Sequence, residues 1–288
     1  MSEITPTPRT SRLTPARKLL LAAAVIVLLL LAYLLPFLFH GMDPLHTSGN
    51  PLSGTVQAAY LDGSTYTGEM HHFQPAGEGT FTWPGGDSCE GRWTDGLCTG
   101  KASFTLESGD RYQGDITGGK LTGQATFTWA DGDTCEGSFT DGKPTGEGTY
   151  TFADGTTYQG KFKDGAFHDS KATMHWPNGD TYTGAFDHGK RTGQGSYRFK
   201  EDGRRYQGDF ADGKLTGKGT LSWPDGDRYK GGFADGSFHG KGTYTWDNGD
   251  RFVAVWTDNK TSKTGTIHYA DGTTAKGRMT DGRCSPID

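Results

Sequence analysis

Residues 112–134 read YQGDITGGKLTGQATFTWADGDT, and this stretch decides the fold. Tyr112, Gly114 and Ile116 alternate with Gln113 and Asp115, the period-two pattern of a half-buried strand. Ala125, Phe127 and Trp129 alternate in the same way with Thr126 and Thr128. Between the two runs, Gly119 and Gly123 allow the positive φ values that a tight turn requires. Asp131-Gly132 closes the stretch as a strong turn dipeptide. Two strands and two turns use every residue, and none is left for a helix.

The stretch is one copy of a repeat. Its cycle begins at Tyr66, Cys89, Tyr112, Cys135, Tyr158, Tyr182, Tyr206, Tyr229, Phe252 and Ala275. The steps are 23 residues, or 24 where they end at Tyr182 and Tyr206. This gives nine full units with partial units at both ends. Two residues after every start but Phe252, where Ala254 stands, is a glycine: Gly68, Gly114, Gly160, Gly184, Gly208 and Gly231 follow Tyr66, Tyr112, Tyr158, Tyr182, Tyr206 and Tyr229. Glycine weakens a strand, so a fixed glycine column needs a steric reason. An aromatic–glycine–aromatic face leaves a slot over each glycine into which a ring lies, and each ring hides roughly 150–250 Å². Stacked units would bury that face in a quasi-one-dimensional array.

Composition agrees. The 288 residues include 46 glycines, more than twice the ordinary share of roughly 7 %. Only 32 % are hydrophobic while 12 % are aromatic, which suits neither a helical bundle nor a doubly wound α/β enzyme. Residues 54–288 are therefore expected to form an all-β, elongated, single-layer antiparallel β-hairpin solenoid.

The aliphatic residues concentrate before the array. Residues 19–39 read LLLAAAVIVLLLLAYLLPFLF without a charge, long enough for a transmembrane helix. Segment 1–18 carries Arg9, Arg12, Arg17 and Lys18 against Glu3, so the positive-inside rule keeps it cytoplasmic. An uncleaved anchor, a linker over 40–53 and an array outside the cytoplasm follow; in a bacterium that space is the periplasm.

The pattern YxGxF/W–xxG–xxxG–xG–xxxW/F–xDG resembles the MORN (membrane occupation and recognition nexus) repeat. Residues 206–228, YQGDFADGKLTGKGTLSWPDGDR, match it at nearly every defining position. The resemblance covers 54–288. It implies a β-hairpin solenoid with non-enzymatic roles in membrane attachment, scaffolding and protein contact. Cys89 and Cys135 depart from the leading Tyr, Asp169 and Lys263 from a glycine, and the last two units are degraded.

No catalytic motif, cofactor loop or metal-ligand spacing stands out. The repeated Asp-Gly-Asp lacks the twelve-residue calcium loop with its terminal Glu. Its first Asp and its Gly are explained by turns. The four cysteines are expected unpaired: Cys89 and Cys135 are two units apart, and Cys89 and Cys98 sit at different heights of one hairpin. The whole chain is −5; without the four cations and one acid of 1–18, residues 41–288 hold 25 basic and 33 acidic side chains, net −8. An acidic array is a poor ligand for nucleic acid or for anionic lipid in general. The exception is local: Lys190, Arg191, Arg198, Lys200, Arg204 and Arg205 outnumber Asp187, Glu201 and Asp202. The expected function is a membrane-anchored scaffold with a protein partner, the six cations being candidate contacts. The alternative is a glycan- or phospholipid-binding module.

Overall fold

The computed structural model describes residues 46–48, 53–117, 120–261, 264–280 and 283–287. The basic segment 1–18 and the apolar run 19–39 lie outside the described residues. Within the expected linker, His46–Ser48 is a strand paired with Gln57–Ala59, so this part of 40–53 belongs to the sheet.

Every regular element among the described residues is a β-strand. Each repeat contributes a strand of seven residues and then, in most repeats, one of nine, as in Arg205–Ala211 and Lys214–Ser222. Each pairs antiparallel with its chain neighbours, as Tyr206 with Leu221 and Leu221 with Tyr229. The residues form two compact units, one ending at Ala166 and one beginning at Phe167.

The short turns are two-residue hairpins with both φ angles positive: Asp141 and Gly142 have φ of 47° and 74°, Asp212 and Gly213 of 47° and 82°. That geometry matches the right-handed twist of the flanking strands and selects Asp-Gly. The first repeat makes the same turn with His72 and Phe73, at φ of 48° and 66°.

Gly123 does not lie in a turn. It sits inside Lys120–Thr128 with φ of 68°, where the register slips between Gly114 and Asp115. Gly146 and Gly217 repeat this bulge at φ of 62° and 58°. An αL glycine at the first bulge position bends the strand. Where Asp169 replaces this glycine, the strand is broken into Ala166–Phe167 and Asp169–His175.

The bend carries the second residue after each turn back over the ring face. Phe238, register partner of Phe233, stacks on Tyr229 at 3.7 Å between centroids. Cys98 and Cys89 hold those two places in the second repeat, and they form a disulfide, with Cα atoms 6.8 Å apart. This corrects the expectation of unpaired thiols. Height along a flat hairpin would separate the two residues, but the bulged hairpin brings them together. Cys135 is a free, buried thiol, and burial pushes its pKa up to about 12. The side chain of Cys284 lies outside the described residues.

On the ring face, tyrosine and glycine interlock. A Cβ on Gly219 would stand 2.5 Å from Tyr206, and one on Gly242 would stand 2.3 Å from Tyr229. Each ring thus lies across the glycines of its own hairpin. The Tyr206 hydroxyl donates to the carbonyls of Asp209 and Thr216 at 3.0 and 3.2 Å, and Tyr66 and Tyr112 make the equivalent pairs. These carbonyls flank the bulge, where the ladder slips, and buried carbonyls need a partner. Tyr66, Tyr158, Tyr182, Tyr206 and Tyr229 are at most 1 % exposed.

Neighbouring repeats are also tied at their turns. Asp133 is 3 % exposed; its Oδ2 accepts from the Tyr150 hydroxyl at 2.6 Å, and its Oδ1 from the Ala153 N–H at 2.8 Å. Asp180 and Asp227 bond Tyr197 and Tyr244 in the same way and reach the N–H groups of Lys200 and Asp247. The second Asp of Asp-Gly-Asp is therefore a link to the next turn.

Candidate functional site

The six cations singled out in the sequence separate. Arg191 occupies the column of Leu121, Leu215 and Phe238, against the core. Its guanidinium lies 5.4 Å from the Trp176 and Tyr197 ring centroids and 5.6 Å from that of Tyr182. Its Nη2 donates to the Gly213 carbonyl at 2.7 Å. Burial lowers its pKa from the usual arginine value. Lys190 pairs with Asp212 at 2.7 Å, holding that carboxyl below its usual pKa, and Arg204 pairs with Asp202. Arg198, Lys200 and Arg205 are exposed.

Arg198 and Arg205 are direct register partners on adjacent strands, on the outer face opposite the rings. Like charges so placed repel, and they begin a longer array. Register links Thr181, Arg198, Arg205, Ser222, Arg228, Thr245, Arg251 and His268 into one row across successive strands. A parallel row runs through Thr183, Ser196, Gln207, Thr220, Lys230, Thr243, Val253, Thr266 and Lys276. A third places Gln194 opposite Asp209, Lys218 opposite Gly232 and Lys241 opposite Val255.

Among these described positions Asp209 is the sole acid, and it is occupied: its Oδ2 accepts from the Lys218 backbone N–H at 2.8 Å, and its Oδ1 from the Gln194 amide. Arg198, Arg205, Lys218, Arg228, Lys230, Lys241 and Arg251 are all exposed. Among the described residues, none of the seven has an acidic side chain at ion-pair distance. The turn lysines differ. Lys214 pairs with Asp235 at 2.8 Å, which raises its pKa, and Lys120 pairs with Asp141 at 2.9 Å.

The unit ending at Ala166 has another outer face. Its corresponding first row is nearly all hydroxyl: Thr65, Thr82, Ser88, Thr105, Arg111, Thr128 and Thr134. Two of its lysines face acids across the strands, Lys101 with Asp115 at 3.7 Å and Lys161 with Glu147 at 3.8 Å. An open groove of about 790 Å³ there is lined by Glu78, Glu90, Glu136, Gln113 and Gln124 among others.

Of the exposed cations in these rows, the sequence singles out Arg198 and Arg205 but not Lys218, Arg228, Lys230, Lys241 and Arg251. The signal was present. These residues recur at outward positions of successive repeats, where a window along the chain dilutes them with turn aspartates.

The MORN repeat family model matches eight consecutive segments, residues 66–88, 89–111, 112–134, 135–157, 158–181, 182–204, 206–228 and 229–251. No curated protein matches the chain. Among solved structures, the G-box domain of the microcephaly protein CPAP is 12 % identical, over 79 % of this chain and 100 % of that one, with a TM-score of 0.29. The TCP10 domain of Danio rerio CPAP, solved with a STIL peptide, is 16 % identical over 78 % and 84 %, with a TM-score of 0.24. Scores this low carry no argument.

Proposed function

Because the chain belongs to the MORN repeat family, whose repeats are commonly protein- and membrane-interaction modules, we propose that it is a membrane-tethered, non-catalytic scaffold. Residues 19–39 are its anchor, and the array stands outside the cytoplasm. The charge asymmetry around the apolar run supports that orientation. So does the Cys89–Cys98 disulfide, a bond that persists in oxidising compartments.

The working surface is the outer face of the unit beginning at Phe167, and it holds an anionic partner. One observation carries this reading: an acidic chain places exposed cations in adjacent rows there, and among the described residues none of them has an acidic side chain at ion-pair distance. Unpaired guanidinium groups present forked donors that fit carboxylate and phosphate. A second reading, an anionic lipid headgroup, draws on Val253 and Val255, which are 41 % and 46 % exposed among the cations.

Chromatography on a sulfonate resin tests the proposal. The full-length chain, in a detergent with a neutral headgroup, has an acidic net charge at pH 7, yet low salt should leave it bound through this face. Arg205→Glu, Arg228→Glu and Arg251→Glu together should release it into the flow-through. A wild-type chain that passes unretained would refute the reading.

A further inference from the structure

We infer that the partner on this face is a linear acidic polysaccharide, lying across the strands along the arginine row. The inference rests on the proposed anionic-partner reading and names the class of partner.

Arg205, Arg228 and Arg251 stand two strands apart from one another in a single row. At about 4.8 Å between strands, they are spaced by about 10 Å. With Arg198 beside Arg205 at one end, this single file of cations fits a linear ligand whose charge repeats. The face is also narrow. Exposed aspartates stand at the turns on both sides of it, Asp225 and Asp247 at one end of the strands and Asp258 at the other, while Asp202, Asp212 and Asp235 at the same turns are paired with Arg204, Lys190 and Lys214. A broad anionic plane would meet those carboxylates as well as the arginines. A slender chain following the row meets the cations and the hydroxyls between them, away from those turns.

Surface chemistry separates the remaining polyanions. Protein partners are held by aromatic or aliphatic anchors in desolvated pockets, and single-stranded nucleic acids by stacking on exposed rings. Among the described residues of the three rows the one ring is that of His268, half-buried at the end of the arginine row, and Val253 and Val255 are the large apolar side chains. Between the cations lie hydroxyls instead: Ser222 and Thr245 in the arginine row, Thr220 and Thr243 beside Lys230. Each both donates and accepts a hydrogen bond. Alternating guanidinium and hydroxyl groups complement a polymer that alternates carboxylate with hydroxyl.

Polygalacturonate is the test probe, with poly-L-glutamate, phosphatidylglycerol vesicles and neutral dextran beside it. The measurement is equilibrium binding of the full-length chain in a neutral detergent, or reconstituted in neutral vesicles for the vesicle arm. Polygalacturonate should bind, and dextran should not. Replacing Arg205, Arg228 and Arg251 by Gln should weaken binding by at least about tenfold. The turn variant Lys120→Gln, Lys190→Gln, Lys214→Gln removes equal charge and should bind as wild type; thermal unfolding of each variant confirms that it is folded. Two results overturn the inference: polygalacturonate that fails to bind, or binds both variants equally. If poly-L-glutamate or the vesicles bind in its place and the arginine variant loses them, the polysaccharide assignment falls while the anionic-partner reading stands. If no anionic probe binds, both fall.

Discussion

The Tyr206 ring shows how much depends on single residues. It covers Gly208 and Gly219, and its hydroxyl closes two carbonyls beside the bulge. Gly79 and Gly195 are covered in the same way by Tyr66 and Tyr182. Burial raises the pKa of Tyr60 and Tyr182 from 10.0 to about 12, and that of Tyr66, Tyr112, Tyr206 and Tyr229 upward as well. A raised folded pKa stabilises the protein fully below the unfolded value near 10, and that contribution is lost as pH rises through the folded value. The array should therefore hold its stability up to about pH 10 and lose it cooperatively toward pH 12 and above. Circular dichroism followed against pH, alongside tyrosinate absorbance, checks this; tyrosines that ionise near pH 10 with the sheet intact would contradict it. The glycine column is legible in the sequence as a packing device. The hydroxyl's role is not, because it depends on a bulge that the spacing does not reveal.

At the scale of the hairpin, what the sequence conceals follows from that bulge. Gly123 reads as a turn residue because αL glycines are commonest there, yet its place is inside a strand. The Cys89–Cys98 bond escapes sequence reasoning because a flat hairpin keeps the two residues apart. The second Asp of Asp-Gly-Asp reads as surplus to its own turn, since its partners lie 17 and 20 residues further on. Its effect is measurable. Asp133→Ala would leave the buried Tyr150 hydroxyl and the Ala153 N–H without this carboxylate, at a cost of about 2–4 kcal/mol. Asp110→Ala removes the bond to the Ala130 N–H alone and should cost about 1 kcal/mol. Urea unfolding of the two variants checks the order. Equal losses would mean that the tyrosine link contributes nothing.

Across the whole molecule, the two faces of the sheet have separate tasks. The ring face repeats, because each hairpin must fit the next; the outer face is free to differ, and it does. Thr82, Thr105 and Thr128 occupy the repeat position that Arg198 takes later in the chain, and Thr134 and Thr157 that of Arg205, Arg228 and Arg251. Net charge conceals this, because the acids that make the chain negative gather largely at the turns. Thermal unfolding of two variants tests the division most directly. Arg205→Glu, Arg228→Glu and Arg251→Glu together should leave the midpoint within about 2 °C of wild type or raise it, since Arg198 gains an opposite charge. Gly219→Ala, whose Cβ would meet the Tyr206 ring at 2.5 Å, should lower it by roughly 3–9 °C. A midpoint that collapses in the charge variant and holds in Gly219→Ala would contradict the account.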